Sequence, residues 1–308
     1  MSLAIVFPGQ GSQSVGMMAG FDAVPIVEKT FLEANAILGI DLWTMVREGP
    51  AEALNQTVNT QPVMLVAGVA CWRAWQERNG PMPSWLAGHS LGEYSALVAS
   101  GAMRFEDALP LVRFRAQVMQ EAVPEGTGGI AAILGLEDGA LQGVCAEAAQ
   151  GEVLEPANLN SPGQVVIAGH RAAVERGMAL AKQKGAKRAV MLPMSAPSHC
   201  SLMKPAAGRL RERLAAVEIR KPSIPVIHNR FVESFDDPAR IRDALVEQLY
   251  NPVRWIETIQ LLGRKGVTRV VECGPGKVLA GLGKRIVPDI EYVAITDAAS
   301  LAAAGAQG

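Results

Sequence analysis

The stretch that most constrains the fold is WLAGHSLGEYSALVASGAM (residues 85–103), which contains the sequence Gly88-His89-Ser90-Leu91-Gly92. The residues before Ser90 are typical of a buried strand, and those after Gly92 are typical of a helix. A G-x-S-x-G sequence at such a junction predicts a tight turn that exposes the serine hydroxyl as a nucleophile. A helix-capping serine in an ordinary turn is the simpler alternative. If Ser90 is a nucleophile, water as acceptor would make the protein a hydrolase, and a second substrate would make it a transferase.

The rest of the chain alternates apolar runs with helical patterns. The strand-like runs are LAIVF, VTRVVECGPG and IEYVAIT, and the helical patterns cover 27–38, 62–79 and 256–265. Alternating strands and helices predict an α/β fold with a parallel sheet.

Residues 126–194 have a different order of elements. Their apolar runs predict the order β-α-β-β-α-β, with two strands joined at Asn160-Ser161-Pro162-Gly163. This order is typical of a ferredoxin-like unit. We therefore predict a large domain of residues 1–125 and 197–308, and an inserted small subdomain of residues 126–196.

Composition excludes several classes of protein. Hydrophobic residues make up 49% of the 308 residues and charged residues 19%, which is typical of a globular protein. The net charge of −1 gives no reason to expect a nucleic-acid or membrane surface. The four scattered cysteines have no metal-ligand spacing, so we expect no metal. With no signal-peptide pattern and no apolar run of about 18 residues, we expect a cytoplasmic protein.

A nucleophilic serine needs a base, and the chain offers four histidines. His89 is the neighbour of Ser90, so its side chain should point to the opposite face. His170 opens a predicted surface helix, and His228 lies at a strand end. His199 lies where the small subdomain ends, which favours it without excluding the others. No acidic residue near His199 is an evident third member of a triad, and this weakens a plain hydrolase interpretation.

One arginine stands out on the helical pattern RFEDALPLVRFRAQVMQEAV. At about 100° per residue, Arg113 falls on the polar face, whereas Arg115 falls inside the apolar sector. A buried arginine needs an anionic partner. Arg115 therefore forms an internal salt bridge, extends its charged end to solvent, or binds a carboxylate of the substrate.

The glycine-rich turn after the first strand, PGQGSQ, is a further candidate for a binding or catalytic role. A dinucleotide fingerprint would need glycine where Ser14 stands, and the Walker lysine is also missing, so nucleotide binding is not expected. Free amides in this turn could instead stabilise an oxyanion.

Seven segments taken together resemble one family. The segments FPGQGSQ, GHSLGEYSAL, MQEAVPEGTG, NSPGQVVIAG, PSHCSLMKPAA, LYNPVRW and ECGPGKVL are similar, in this order, to the malonyl-coenzyme A:acyl-carrier-protein transacylases of type II fatty acid synthesis. The resemblance extends from residue 4 to about residue 290. It implies an α/β-hydrolase-like large domain with an inserted ferredoxin-like subdomain.

The resemblance also implies roles for individual residues. Ser90 takes up the malonyl group, and His199 is its general base. The backbone amides of Gln10 and Leu91 form the oxyanion hole, and Arg115 holds the free malonyl carboxylate. A backbone carbonyl orients the histidine in place of an acid, and the matching position here is Arg254. Further pocket residues implied are Asn160 and Ser198.

The implied reaction moves malonyl from malonyl-coenzyme A to the phosphopantetheine thiol of an acyl carrier protein, in ping-pong fashion through a malonyl-serine. Malonyl-coenzyme A is a substrate, so no cofactor is expected, and the protein is expected to be a monomer. The acidic carrier is expected to meet a basic patch, either Lys182, Lys184, Lys187 and Arg188 or Lys284 and Arg285. A trans-acting acyltransferase of a polyketide synthase, a malonyl-loading subunit of malonate decarboxylase, a serine esterase and an inactive carrier-binding relative remain alternatives.

Overall fold

The computed structural model describes residues 2–137, 139–194 and 196–305. Its strands form two sheets. In chain order the strands are β1 (Leu3–Phe7), β2 (Trp85–Gly88), β3 (Gly128–Leu134), β4 (Leu154–Ser161), β5 (Gln164–His170), β6 (Arg188–Met191), β7 (Val226–His228), β8 (Glu233–Ser234), β9 (Arg269–Cys273) and β10 (Glu291–Ile295). The larger sheet has the order β10-β9-β1-β2-β7-β8, and the smaller has the order β4-β5-β3-β6.

The helices lie between these strands along the chain. In chain order they are α1 (Pro25–Leu38), α2 (Leu42–Glu48), α3 (Ala51–Leu54), α4 (Thr57–Glu77), α5 (Gly92–Ala99), α6 (Phe105–Glu121), α7 (Ala140–Ala149), α8 (Arg171–Gln183), α9 (Lys204–Ala215), α10 (Pro238–Gln248), α11 (Trp255–Arg264), α12 (Val278–Ile286) and α13 (Ala298–Gly305). The chain is therefore a mixed α/β protein with a sheet that contains parallel strands, as the alternating pattern predicts.

The larger sheet is parallel except at its β8 edge. Strand β1 pairs in parallel with both β2 and β9, and β8 pairs antiparallel with β7. Every residue of β1 and of β9 is buried, because helices cover both faces of the sheet. The carboxyl ends of parallel strands meet at one edge, and the turn that carries Ser90 follows β2 there.

The smaller sheet is antiparallel and has β3 and β5 at its centre. Helices α7 and α8 pack against one of its faces. The other face is lined by Ile130, Val166 and Ala168, and Cys200 of the long segment that follows β6 packs against it. Cys200 therefore anchors the residues that lead to α9 against the small sheet.

Backbone hydrogen bonds join the small sheet to the segment between α10 and α11. The Leu159 N–H donates to the Val253 carbonyl at 2.9 Å, and the Val253 N–H donates to the Ala157 carbonyl at 2.9 Å. The Glu155 carboxylate also accepts from the Ser201 N–H at 2.8 Å and from the Ser201 hydroxyl at 2.7 Å. Strand β4 thus holds the segments around Ser201 and Val253, which adjoin residues of the site described below.

Among the described residues, no helix combines the length and the apolar character that a membrane span requires. The same residues contain no group of three or more His, Cys, Asp or Glu side chains that could hold a metal ion.

Candidate active site

Ser90 occupies a strained turn between β2 and α5. Its φ is +50°, in the left-handed region that residues other than glycine rarely adopt. The flanking glycines are required by close packing: a Cβ on Gly88 would lie 1.9 Å from the carbonyl carbon of Gly92, and a Cβ on Gly92 would lie 2.1 Å from the Phe7 carbonyl oxygen. Asn229 holds the turn, since its Oδ1 accepts from the Ser90 N–H at 2.7 Å and its Nδ2 donates to the Gly88 carbonyl at 2.7 Å. Strain held by its surroundings is typical of a functional position.

His199 is the histidine that the fold brings to Ser90. Ser90 Oγ lies 2.7 Å from His199 Nε2, and His199 Nδ1 lies 2.8 Å from the carbonyl oxygen of Gln248. Because a carbonyl can only accept, the proton sits on Nδ1, and Nε2 is left free to take the serine proton. His199 also has a positive φ of +65°, and its N–H donates to the Leu249 carbonyl.

The prediction that the Arg254 carbonyl orients His199 is wrong. The Arg254 carbonyl lies at the start of α11, where it accepts from the N–H and the hydroxyl of Thr258, both at 3.0 Å. The carbonyl that orients His199 belongs to Gln248, the last residue of α10. The last carbonyls of a helix have no partner inside the helix, so one of them is available to the imidazole. The Arg254 side chain pairs instead with Glu257.

Burial sets the protonation state of the site. His199 is 3% exposed, and this burial, followed by the nearby charge of Arg115, lowers its pKa to about 3. The imidazole is therefore neutral near pH 7, as a general base must be. Burial likewise lowers the pKa of His89, whose Nε2 lies 2.8 Å from Asn160 Oδ1 rather than near the serine hydroxyl.

Arg115 is 1% exposed and points at the serine from α6. Its Nη2 donates to Ser90 Oγ at 3.2 Å and to Gln248 Oε1 at 2.9 Å, and its Nη1 donates to Gln61 Oε1 at 2.6 Å. Among the described residues it makes no ion pair with a carboxylate. A buried guanidinium whose acceptors are all neutral is a ready site for an anionic group.

The other sequence-predicted residues lie around this centre. Gln10, Leu91 and Ser198 line one small cavity with Ser90, His199 and Arg115. In the described part of the chain, the backbone N–H groups of Gln10 and Leu91 have no hydrogen-bond acceptor, so both are available to an oxyanion. Asn160 lies further out, in a groove between the two sheets that also reaches His89. Of the predicted site residues, Arg254 lines neither this cavity nor this groove.

Sequence reasoning missed four residues that support the site: Gln61, Glu93, Asn229 and Gln248. Two of them carried a usable signal. Gln248 continues the apolar spacing of Ile241, Ala244 and Leu245 on α10, and a polar side chain on such a stripe marks a buried hydrogen-bonding group. Gln61 interrupts the apolar pattern of α4 in the same way.

The arrangement supports acyl transfer. It combines a hydroxyl nucleophile, a neutral base, two free amides and a buried cation within one cavity. The outer groove, lined by Asn160, Val166 and Leu279 among others, shares Gln10 and His89 with the cavity that contains Ser90, so the groove and the cavity adjoin.

Comparisons with known proteins agree with this chemistry. The model of the acyl transferase domain matches residues 4–300. The malonyl CoA-acyl carrier protein transacylase of Salmonella typhimurium is 56% identical over 302 residues, which cover 98% of each chain. That of Escherichia coli strain K12 is 55% identical with the same coverage.

Two solved structures are similar over the whole chain. An acyl-carrier-protein S-malonyltransferase from Burkholderia pseudomallei is 57% identical, with a TM-score of 0.97 and 99% of each chain covered. A malonyl-transacylase in complex with a type II PKS acyl-carrier protein is 52% identical, with a TM-score of 0.99 and 100% of each chain covered. The chain belongs to the acyl transferase domain family and, within it, to the malonyl CoA-acyl carrier protein transacylases.

Proposed function

We propose that this acyltransferase moves malonyl from malonyl-CoA to an acyl carrier protein through a malonyl-serine on Ser90. The observation that carries the proposal is the position of Arg115, whose guanidinium lies 3.2 Å from the serine hydroxyl and has no anionic partner among the described residues. A malonyl group attached at Ser90 would place its free carboxylate beside this cation. An acetyl group would leave the cation without a partner.

Each half of the reaction uses the same groups. His199 Nε2 takes the proton of the Ser90 hydroxyl as the oxygen attacks the thioester carbonyl, and the amides of Gln10 and Leu91 stabilise the oxyanion. The protonated His199 then gives its proton to the departing thiolate of coenzyme A. In the second half, His199 deprotonates the carrier thiol, which attacks the malonyl-serine and restores Ser90.

The division of the chain into domains is also a proposal. We assign residues 1–125 and 197–308 to an α/β-hydrolase-like large domain, and residues 126–196 to a ferredoxin-like subdomain. Support comes from the two separate sheets and from the sequence of elements in the inserted segment, β3-α7-β4-β5-α8-β6. Substrates would then reach Ser90 along the groove between the sheets.

Of the two predicted basic patches, the one at Lys284 and Arg285 is better placed for the carrier. Arg285 donates to Gln164 Oε1 at 2.5 Å, and Gln164 lines the groove. In the other patch, Lys184 already pairs with Glu147. The relative solved with a type II PKS acyl-carrier protein favours a second candidate acceptor, the carrier of a polyketide synthase, which would use the same chemistry.

The direct test is to mix the protein with malonyl-CoA and measure its intact mass, followed by peptide mapping. We expect one malonyl group on Ser90, and transfer of that group to added carrier protein. Ser90→Ala is the control and should acquire no label. Rapid release of free malonate, with no adduct on the wild-type protein, would instead favour an esterase.

The pH dependence of acylation follows from the lowered pKa of His199. Because this pKa is about 3, the base stays neutral, and the rate constant for Ser90 acylation should change little between pH 7 and pH 5. A histidine with the ordinary pKa of about 6.5 would lose roughly 25-fold over the same range. Labelling with malonyl-CoA, quenched at a series of times at each pH, measures the rate constant of Ser90 acylation. A 25-fold decline between pH 7 and pH 5 would contradict the lowered pKa of His199.

The same shift has a consequence for stability. Between pH 6.5 and about 3, the unfolded chain binds a proton at His199 that the folded protein does not. This site therefore lowers the free energy of unfolding as the pH falls through that window.

A further inference from the structure

Glu93 is a fully buried carboxylate beneath the site, and the reaction described above does not use it. It follows Gly92 on α5. Its Oε1 lies 2.7 Å from His228 Nδ1, and its Oε2 accepts from the Asn229 N–H at 2.9 Å and from Gln248 Nε2 at 2.8 Å. Among the described residues it has no lysine or arginine ion-pair partner. A buried negative charge in such a position needs compensation from a charge nearby.

Arg115 presents the complementary case, a buried positive charge whose contacts are all neutral. Burial lowers the pKa of its guanidinium, while the Tyr94 hydroxyl and the Glu93 carboxylate act in the opposite direction. The Glu93 carboxylate thus acts on Arg115 in the resting protein, although the two side chains make no direct contact.

The Gln248 side chain lies between these two charges. Its Oε1 accepts from Arg115 Nη2 at 2.9 Å, and its Nε2 donates to Glu93 Oε2 at 2.8 Å. The amide dipole therefore points its negative end at the cation and its positive end at the anion. In a buried network such an alignment strengthens both hydrogen bonds and couples the two charges.

We propose that Glu93 tunes substrate selection: its negative charge, acting through the Gln248 amide, balances Arg115 in the empty site and limits how tightly Arg115 holds the malonyl carboxylate. The inference rests on the proposed function. With malonyl on Ser90, two carboxylates compete for one guanidinium. The acyl group is held firmly enough to be selected, yet it can leave with the next thiol.

The substitution Glu93→Gln removes the negative charge of the side chain and keeps its size and shape. The new amide oxygen can accept from Asn229 and Gln248, and the new NH₂ can donate to His228 Nδ1 once the imidazole proton moves to Nε2. In the described residues, His228 Nε2 has no hydrogen-bond partner, so that move breaks no existing contact. The variant thus removes one charge and keeps the three contacts.

The experiment measures kcat and KM of wild type and E93Q with malonyl-CoA and with acetyl-CoA, alongside the mass of the Ser90 adduct. We expect KM for malonyl-CoA to fall several-fold in E93Q, with no such fall for acetyl-CoA, so that the malonyl-to-acetyl ratio of kcat/KM rises. A purely structural role would change both substrates alike, and an unchanged ratio overturns the inference. Absence of a wild-type adduct overturns the proposed function and this inference with it.

If E93Q does not fold, a second variant that retains one carboxylate near Arg115 provides the test. The double variant E93Q/Q248E retains one carboxylate but moves it into direct contact with Arg115. We expect its malonyl-to-acetyl ratio to fall below that of the wild type. A ratio equal to or above the wild-type value overturns the inference.

Discussion

His199→Ala is expected to slow the acylation of Ser90 by malonyl-CoA about 10²- to 10⁴-fold, the usual contribution of a general base. The neutral imidazole lies 2.7 Å from the serine hydroxyl, and among the described residues no other histidine lies within hydrogen-bonding distance of that oxygen. Rapid-quench labelling followed by intact mass measurement gives the rate constant. The substitution also removes a buried side chain, so the melting temperature must be measured with it.

His170→Ala is the matched control. His170 lies at the end of β5, where its Nδ1 accepts from the Val153 N–H at 2.9 Å. We expect this variant to label at the wild-type rate. Rapid labelling of His199→Ala, with its fold intact, would place the base elsewhere.

Arg115→Ala is expected to lower kcat/KM for malonyl-CoA by about 100-fold or more, because breaking a buried, hydrogen-bonded charge pair costs about 2–5 kcal/mol. The loss for acetyl-CoA should be much smaller, since acetyl has no second carboxylate. It need not be zero, because Arg115 also donates to Ser90 Oγ. The measurement compares both substrates on the same preparation.

Arg113→Ala supplies the control from the same helix. Arg113 is exposed, two residues before Arg115 on α6, and should retain both activities. Equal losses for malonyl-CoA and acetyl-CoA in Arg115→Ala would contradict a role in carboxylate binding. Equal losses would instead indicate that Arg115 serves to position the Ser90 hydroxyl.

Local patterns in the sequence were enough to predict the strand and helix around Ser90. Apolar runs on both sides of a G-x-S-x-G define them without long-range information. Helical projection also placed Arg115 on a buried face, since the period of a helix alone decides which residues share a face. These features depend on neighbours within a few turns.

The partners of His199 could not be predicted in the same way. The carbonyl that orients it lies 49 residues away, at Gln248. Every residue has a carbonyl, so no residue type marks the one that is used, and the choice of Arg254 was wrong by six positions. The links from Glu93 to His228 and Asn229 span 135 and 136 residues and exist only after the sheet has formed.

The bridge between β4 and Val253 bears on attempts to build chimeras. Val253 follows Gln248 by five residues, and its carbonyl and N–H are both engaged by the small sheet. Exchanging the inserted segment for that of another enzyme would therefore also exchange the hydrogen-bond partners of the segment that follows Gln248. Such a graft has to preserve the backbone register at Ala157 and Leu159, or it changes the position of the carbonyl that orients His199 and with it the catalytic rate.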